Sequence, residues 1–192
     1  MNTIKEAAAV YPIHNLIRSR WSPRSFTGKP VDNELLLQLF EAASCSFSAN
    51  NSQPWRYIYA HRANTPAFEK LFNCLAGGNQ PWAKNASVLI LALAKVTTED
   101  GKPLKWAYHD LGAANMCLLL EATANGLHGH PMAGFDAAKA TADFNIPDGY
   151  EPHVMIALGY LDLPEKLDEP FKTRELTPRT RKPIDEFVFK NE

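Results

Sequence analysis

Two stretches of the chain carry apolar residues at every third or fourth position, which predicts two amphipathic helices. The first stretch follows Asp32, a residue type that caps helix N-termini, and runs to about residue 43. The second predicts the longest helix of the chain, over about 104–125. Residues 112–114 of that helix are small, so we expect that another helix can approach it closely.

Shorter patterns complete the predicted framework. Apolar runs predict strands over 55–60, 88–94 and 153–161, with a short extended piece over 127–134. Further helices are predicted over 12–20, from residue 65 to a stop at 77–78, and over 136–144. Because helices and strands alternate irregularly, the predicted class is α+β: an α/β sandwich in which helices flank a small, mixed sheet.

The last thirty residues differ in composition from the rest. With 192 residues the chain is long enough for one domain, with a core over about 13–161. From 162 to 192 it is rich in Pro, Lys, Arg and Glu and lacks the apolar content for a second core. We therefore expect a C-terminal arm that wraps on another surface.

Composition excludes several classes of function. The net charge of −1 argues against bulk attraction to nucleic acid. The three cysteines (Cys45, Cys74 and Cys117) are odd in number and widely spaced, so a disulfide framework or zinc site is not expected. The longest apolar run, 88–94, is too short to cross a membrane, and no signal pattern is present. A cytoplasmic enzyme or binding protein fits best, and no dinucleotide-binding or P-loop glycine motif occurs.

Basic residues near both ends of the chain are suited to a phosphate. Arg20, Ser22 and Arg24 place two guanidinium groups and a hydroxyl within five residues, and Arg179 and Arg181 form a second pair. The planar guanidinium donates two parallel hydrogen bonds to a phosphate. In an extended arm, residues two apart face the same side, so both pairs could meet on one phosphate. Taken alone, each stretch could equally be a solvated basic segment.

A polar loop supplies a different kind of donor. Residues 48–55 read Ser-Ala-Asn-Asn-Ser-Gln-Pro-Trp, and Asn51 and Gln53 can both donate and accept hydrogen bonds. The edge of a flat heteroaromatic ring presents alternating donors and acceptors. A ligand with such a ring and a phosphate would use all three stretches, and flavin mononucleotide (FMN) is one. The alternative is a polar loop that only leads into a strand.

Two histidine-containing groups are not assigned a function. His128 and His130 have no carboxylate or cysteine at ligand spacing, so structural roles are expected and no metal site is predicted. His109 and Asp110 are neighbours on the long helix, which predicts side chains that point apart.

These motifs together resemble the nitroreductase family over about residues 13–185. The stretch 20–26 is similar to the family pattern R-x-S-x-[RK]-x-[FY], and 48–55 to its S-x-x-N-x-Q-P-W loop. Asn79, the helix residues 110–115, the segment 131–135 and the pair Arg179 and Arg181 also match, in the family's order.

The resemblance implies an FMN-dependent homodimer with each site at the subunit interface and the arm embracing the partner. The cofactor-binding residues it implies fall into four groups. They are Arg20, Trp21, Ser22, Arg24, Arg179 and Arg181 for the phosphate and ribityl chain; Asn79 for the ring's polar edge; Pro131, Met132, Ala133 and Gly134 beside the ring; and Ser48, Ala49, Asn51 and Gln53 from the partner. The backbone N–H of Gly134 is expected to bond the ring.

The activity implied is a ping-pong transfer of electrons from NADH or NADPH to a nitroaromatic, a quinone or a similar acceptor. The flavin carries the chemistry, so no essential acid–base side chain is expected. Phe47, Trp82 and Trp106 are candidates for stacking on the acceptor, with core packing as the alternative. Many relatives have an acidic residue at Ala133 and a lysine at Trp82, which leaves the flavin potential open.

Two other functions stay open at this point. One is a non-catalytic FMN-binding or storage protein, and the other is a specialised relative such as a dehalogenase. Neither the acceptor nor the choice between NADH and NADPH follows from the sequence.

Overall fold

One four-stranded sheet with helices on both faces forms the protein. The computed structural model describes residues 3–191. In those residues the helices are α1 (Asn15–Ser19), α2 (Asn33–Ser44), α3 (Thr65–Phe72), α4 (Gln80–Ala83), α5 (Ala107–Ala124), α6 (Ala137–Asp143) and α7 (Phe171–Leu176). The strands are β1 (Trp55–His61), β2 (Val88–Lys95), β3 (His128–Met132) and β4 (Tyr150–Gly159). The predicted α+β class is confirmed.

The sheet differs from the prediction in one respect. Its strand order is β1-β2-β4-β3, and all three pairings are antiparallel, so the sheet is not mixed. Helix α5 carries the chain from the end of β2 back to the end of the sheet at which β2 begins, as a connection between two parallel strands requires. Strand β4 then lies between β2 and β3, so these two strands of like direction never pair.

Two hydrophobic layers hold the helices against the sheet. On one face α2 and α5 pack over the sheet through buried leucines that include Leu36, Leu39, Leu111 and Leu118. On the other face lie side chains of α3 and α4, among them Phe68, Leu71 and Trp82. Each fully buried leucine contributes about 2 kcal/mol of transfer free energy. The predicted apolar stripes of α2 and α5 are therefore confirmed as the core-facing edges.

Helix ends are fixed by the residues that the sequence indicated, with one change. The carboxylate of Asp32 accepts from Glu34 N at 2.7 Å, and that of Asp136 accepts from Lys139 N at 2.9 Å. Helix α3 ends at Phe72, earlier than expected. The residues after it leave the helix because Ala76 N donates to Gly134 O at 3.0 Å.

The first part of the C-terminal arm lies on its own subunit. Asp162 N donates to Ser25 O at 3.0 Å, and Ser25 Oγ donates to Leu163 O at 2.8 Å. Leu167 and Glu175 are buried there. Residues 162–179 thus contact their own subunit at these points, while the residues after 179 are exposed, and the expectation that the arm embraces a partner stays a prediction. Within residues 3–191, no helix is both long and apolar enough to span a bilayer.

Candidate functional site

Basic side chains from the two ends of the chain meet at one place. The Arg179 Nη1 atom donates to Arg20 O at 2.6 Å, and to Lys5 O and Arg18 O at 3.2 Å each. The pKa of Arg20 is lowered mainly by burial and then by the charge of Arg181. The pKa of Arg179 is also lowered mainly by burial, and then by the charges of Arg181 and Arg20. We call Arg20, Arg179 and Arg181 the arginine cluster.

The guanidinium groups of Arg20 and Arg24 lack acceptors. Both side chains are half-buried, yet within residues 3–191 neither guanidinium donates a hydrogen bond or forms an ion pair closer than 4 Å. The Arg24 guanidinium lies 5.9 Å from the centre of the Trp82 ring, and the donors of both arginines are available to an anionic ligand. Ser22, between them in the sequence, is also half-buried. This donor set fits a phosphate.

Other predicted members of this region serve the fold. Trp21 is buried, with Lys5 Nζ 5.2 Å from its ring and His128 against its edge. The Trp21 ring therefore packs mainly within the fold. Arg179 likewise uses one nitrogen to hold the N-terminal segment.

Two histidines of β3 line the inner side of this region as neutral rings. His130 Nδ1 is 2.9 Å from Pro23 O, and its ring stacks on Trp82 with centroids 4.6 Å apart. Burial lowers the pKa of both His128 and His130 to about 4. The charge of Arg20 lowers that of His128 further. The positive charge here is therefore carried by arginine.

Asn79 and Gly134 lie in contact, which is compatible with the expectation that both face one ring. Asn79 Nδ2 donates to Gly134 O at 3.0 Å. A Cβ at Gly134 would lie 3.0 Å from the same Nδ2 atom, so a side chain would fill this corner. The N–H of Gly134 has no acceptor in the part of the chain that the structure describes. Ala133 is exposed beside it, whereas Pro131 is half-buried and Met132 is buried in the core.

The polar loop 48–53 has a strained, internally bonded shape. Asn50, Asn51 and Gln53 have φ values of 53°, 53° and 44°, in the left-handed region. Ser48 Oγ accepts from Gln53 N at 3.1 Å, and Gln53 Nε2 donates to Asn51 Oδ1 at 3.1 Å. Loop residues held in unfavourable conformations often serve function. Among residues 3–191, no hydrogen bond joins this loop to the arginine cluster or to Asn79.

Asp110 fixes one end of this polar loop, a contact that sequence reasoning missed. Its buried carboxylate accepts from Ala49 N at 3.0 Å and contacts His109 Nδ1 at 3.2 Å. The expectation that the His109 and Asp110 side chains point apart is therefore wrong, since the two are in contact in the first turn of α5. The feature of the sequence that could have indicated this contact is the position of Asp110 directly before Leu111, in the apolar stripe of α5.

The three aromatic candidates are divided between surface and core. Phe47 and Trp106 are 64% and 54% exposed and lie on either side of His109, at centroid distances of 5.5 and 6.3 Å. Trp82 is 1% exposed and packs against Phe26 and His130, so it presents no face to an acceptor. Trp82 is a core residue, which is the alternative that the sequence analysis left open.

Comparisons with known proteins identify the family and the fold. The family model described as the nitroreductase family matches residues 17–160. A solved structure described as an oxidoreductase containing FMN is 35% identical, with coverage of 96% of this chain and 94% of its own, and a TM-score of 0.91. A nitroreductase family protein of Streptococcus pneumoniae has the same fold at 23% identity, with coverage of 92% and 98% and a TM-score of 0.73.

Similar curated sequences come from bacteria. An uncharacterised 15.4 kDa protein of Mycolicibacterium smegmatis is 38% identical over 70% of this chain and 94% of its own length. A Ralstonia nicotianae protein, provisionally named an NADH dehydrogenase/NAD(P)H nitroreductase, is 31% identical over 69% of this chain and 77% of its own. With a family model that matches well over half of its length, the chain belongs to the nitroreductase family.

Proposed function

We propose that this chain is an FMN-dependent oxidoreductase that transfers electrons from NADH or NADPH to a small acceptor such as a nitroaromatic or a quinone. One observation carries the proposal: the half-buried guanidinium groups of Arg20 and Arg24 have no acceptor within residues 3–191, and Arg20 lies beside Arg179 and Arg181. The similarity to an FMN-containing oxidoreductase supports FMN as the phosphate ligand.

The chain's own residues bind and orient the cofactor in two places. The arginine cluster, with Arg24 and Ser22, holds the phosphate by charge-assisted hydrogen bonds. Asn79 and the free N–H of Gly134 hold the polar edge of the ring. Bound FMN supplies the chemistry of hydride acceptance and electron transfer. Donor and acceptor use the site in turn, which is a ping-pong order.

The active unit is a homodimer. Ile17 on α1 and Met116 on the neighbouring α5 are 53% and 45% exposed, and Gly112 has open space around it. Exposed apolar groups on two packed helices favour a subunit contact there. The loop 48–53 then reaches the flavin of the partner, and Phe47 and Trp106 contact the acceptor. The cytoplasmic location stays a prediction from the sequence.

The test begins with the absorption spectrum of the purified protein after incubation with FMN. We expect a bound flavin that is bleached by reduced nicotinamide and reoxidised by a quinone, with parallel double-reciprocal plots. A protein that binds no flavin at saturating FMN would contradict the proposal. A flavin that is bound but never reduced by either nicotinamide would favour the storage function instead.

A double variant, Arg20→Ala with Arg181→Ala, tests the phosphate site. Each lost charge-assisted contact costs about 2 kcal/mol, so the Kd for FMN should rise by at least about a hundredfold. Lys182→Ala is the matched control, since Lys182 is an exposed cation next to Arg181 that pairs only with Glu186 at 3.5 Å. Unchanged FMN affinity in the double variant would reject the assigned role of the arginines.

A further inference from the structure

The buried carboxylate of Glu175 lies next to the proposed phosphate site and is not used by the function described above. Glu175 belongs to α7 in the C-terminal arm and is 1% exposed. Its Oε1 and Oε2 atoms accept from Arg24 N at 3.1 and 3.2 Å, and Oε1 also accepts from Ser25 N at 3.4 Å. A residue about 150 positions away thus bonds the backbone of the segment that carries the free guanidinium groups.

Neighbouring contacts fasten the arm at the same place. Lys5 Nζ donates to Arg174 O at 2.7 Å and to Thr177 O at 2.5 Å, on either side of Glu175. The arm then continues to Arg179, which bonds the backbone of Arg20. The backbone of residues 20–25 is therefore held by the arm at two points, one at Arg20 and one at Arg24 and Ser25.

The charges around Glu175 balance it without forming a direct ion pair. Burial raises the pKa of Glu175, while the two backbone N–H groups and the charges of Lys5 and Arg24 oppose this rise. Within residues 3–191, no cationic nitrogen lies within 4 Å of its carboxylate. Its direct bonds are to backbone N–H groups, so its position bears on the shape of residues 20–25.

We propose that Glu175 is a positioning residue for the cofactor phosphate, which sets the backbone of Arg24 and Ser25 so that the free guanidinium groups converge on one anion. The inference rests on the proposed FMN site. It makes a prediction opposite to that of simple electrostatics. Removal of a negative charge near a phosphate should tighten phosphate binding, whereas loss of the positioning contact should weaken it.

The test compares FMN with riboflavin, which has the same ring and ribityl chain but no phosphate. In Glu175→Gln the amide oxygen can take the place of Oε1, while the NH₂ group replaces Oε2 and faces the N–H of Arg24, which loses that acceptor. We expect the Kd for FMN, measured by flavin fluorescence, to rise about tenfold or more, since a hydrogen bond to a charged group contributes about 1.5–3 kcal/mol. The Kd for riboflavin should change less than about twofold, because its contacts do not include the phosphate site.

Controls separate this effect from a general loss of structure. Glu165→Gln removes an exposed carboxylate on the same arm and should leave both affinities unchanged. Glu175→Asp keeps the charge but withdraws the carboxylate, so it should also weaken FMN binding selectively. Circular dichroism and the melting temperature of the apoprotein report whether each variant folds.

The outcomes are distinct. Tighter FMN binding in Glu175→Gln, an equal loss of FMN and riboflavin, or failure of both Glu175 variants to fold would each overturn the positioning role. A wild-type protein that binds neither flavin would instead contradict the proposed function itself. A wild type that prefers FMN to riboflavin, with that preference unchanged in Glu175→Gln, would leave the function standing and reject this inference alone.

Discussion

At the scale of single residues, burial decides which of the predicted groups can contact a ligand. Arg20 and Arg24 keep guanidinium donors free, whereas Trp21, Trp82 and Met132 direct their side chains into the fold. The sequence gives the identity of all five residues but not the direction of each side chain. Direction depends on neighbours such as His130 and Lys5, which are distant in sequence.

The neutral histidines of β3 give the protein a predictable sensitivity to acid. The pKa of His128 and of His130 is about 4 in the folded chain, compared with 6.5 for an unperturbed histidine. Between pH 6.5 and 4 the unfolded chain therefore binds more protons, so the free energy of unfolding falls as the pH falls. We expect a loss of a few kcal/mol at most across this range.

Urea denaturation at several pH values checks this prediction. His130→Gln should lower stability at pH 7 because Pro23 O and the Trp82 ring lose a partner, but its stability should depend less on pH between 6.5 and 4. Glu175 is common to both proteins, so its own titration cancels in the difference. His153→Gln, at an exposed position, is the control. An identical pH slope in His130→Gln and wild type would contradict the assignment.

At the scale of elements, regular periodicity predicted the helices and strands well and the connections poorly. Helices α2 and α5 and strands β1 and β2 lie where their patterns place them, because each buries its own apolar edge. The sequence pattern predicts that α3 continues to a stop at 77–78, but the helix ends at Phe72. Its end is set by the bond from Ala76 N to Gly134 O, which links positions 58 residues apart and leaves no local pattern.

The loop 48–53 allows a prediction about backbone strain. Asn50 has φ 53° and ψ 27°, and it is exposed, so substitution there removes little packing. Asn50→Gly should preserve the loop and raise stability by up to about 1 kcal/mol, because glycine has no side-chain clash in this region. Asn50→Val should lower it by about 1–2 kcal/mol.

Melting temperatures of the two variants and wild type test this order. Asn73→Val is a suitable control, since Asn73 is also exposed but has a φ of −70°. If Asn50→Val were as stable as wild type, the left-handed conformation of the loop would be wrong. Flavin affinity should fall in Asn50→Val if the loop reaches the partner's cofactor.

At the scale of the whole molecule, the exposed side of α1 and α5 predicts the assembly. Met116→Glu places a carboxylate in the proposed contact, and in a symmetric dimer each contact contains it twice. We expect sedimentation equilibrium to show a folded monomer. Its affinity for FMN should be lower than that of wild type, because the loop 48–53 of the partner no longer reaches the cofactor. Leu37→Glu, at a 51% exposed position on α2, is the matched control. A dimeric Met116→Glu protein with normal flavin affinity would exclude this surface.

The sequence by itself determined the family motifs, the α+β class and the two core-facing helices, and it supplied the hypothesis that arginines from both ends of the chain hold a phosphate. These follow from local periodicity and from residue chemistry, which neighbours in the chain express directly. The tertiary structure alone decided the antiparallel sheet, the burial of Trp82, the link between Asp110 and Ala49 and the position of Glu175. Each of these depends on contacts between segments far apart in sequence, whose free energy is set by three-dimensional packing and solvent exclusion rather than by any local pattern.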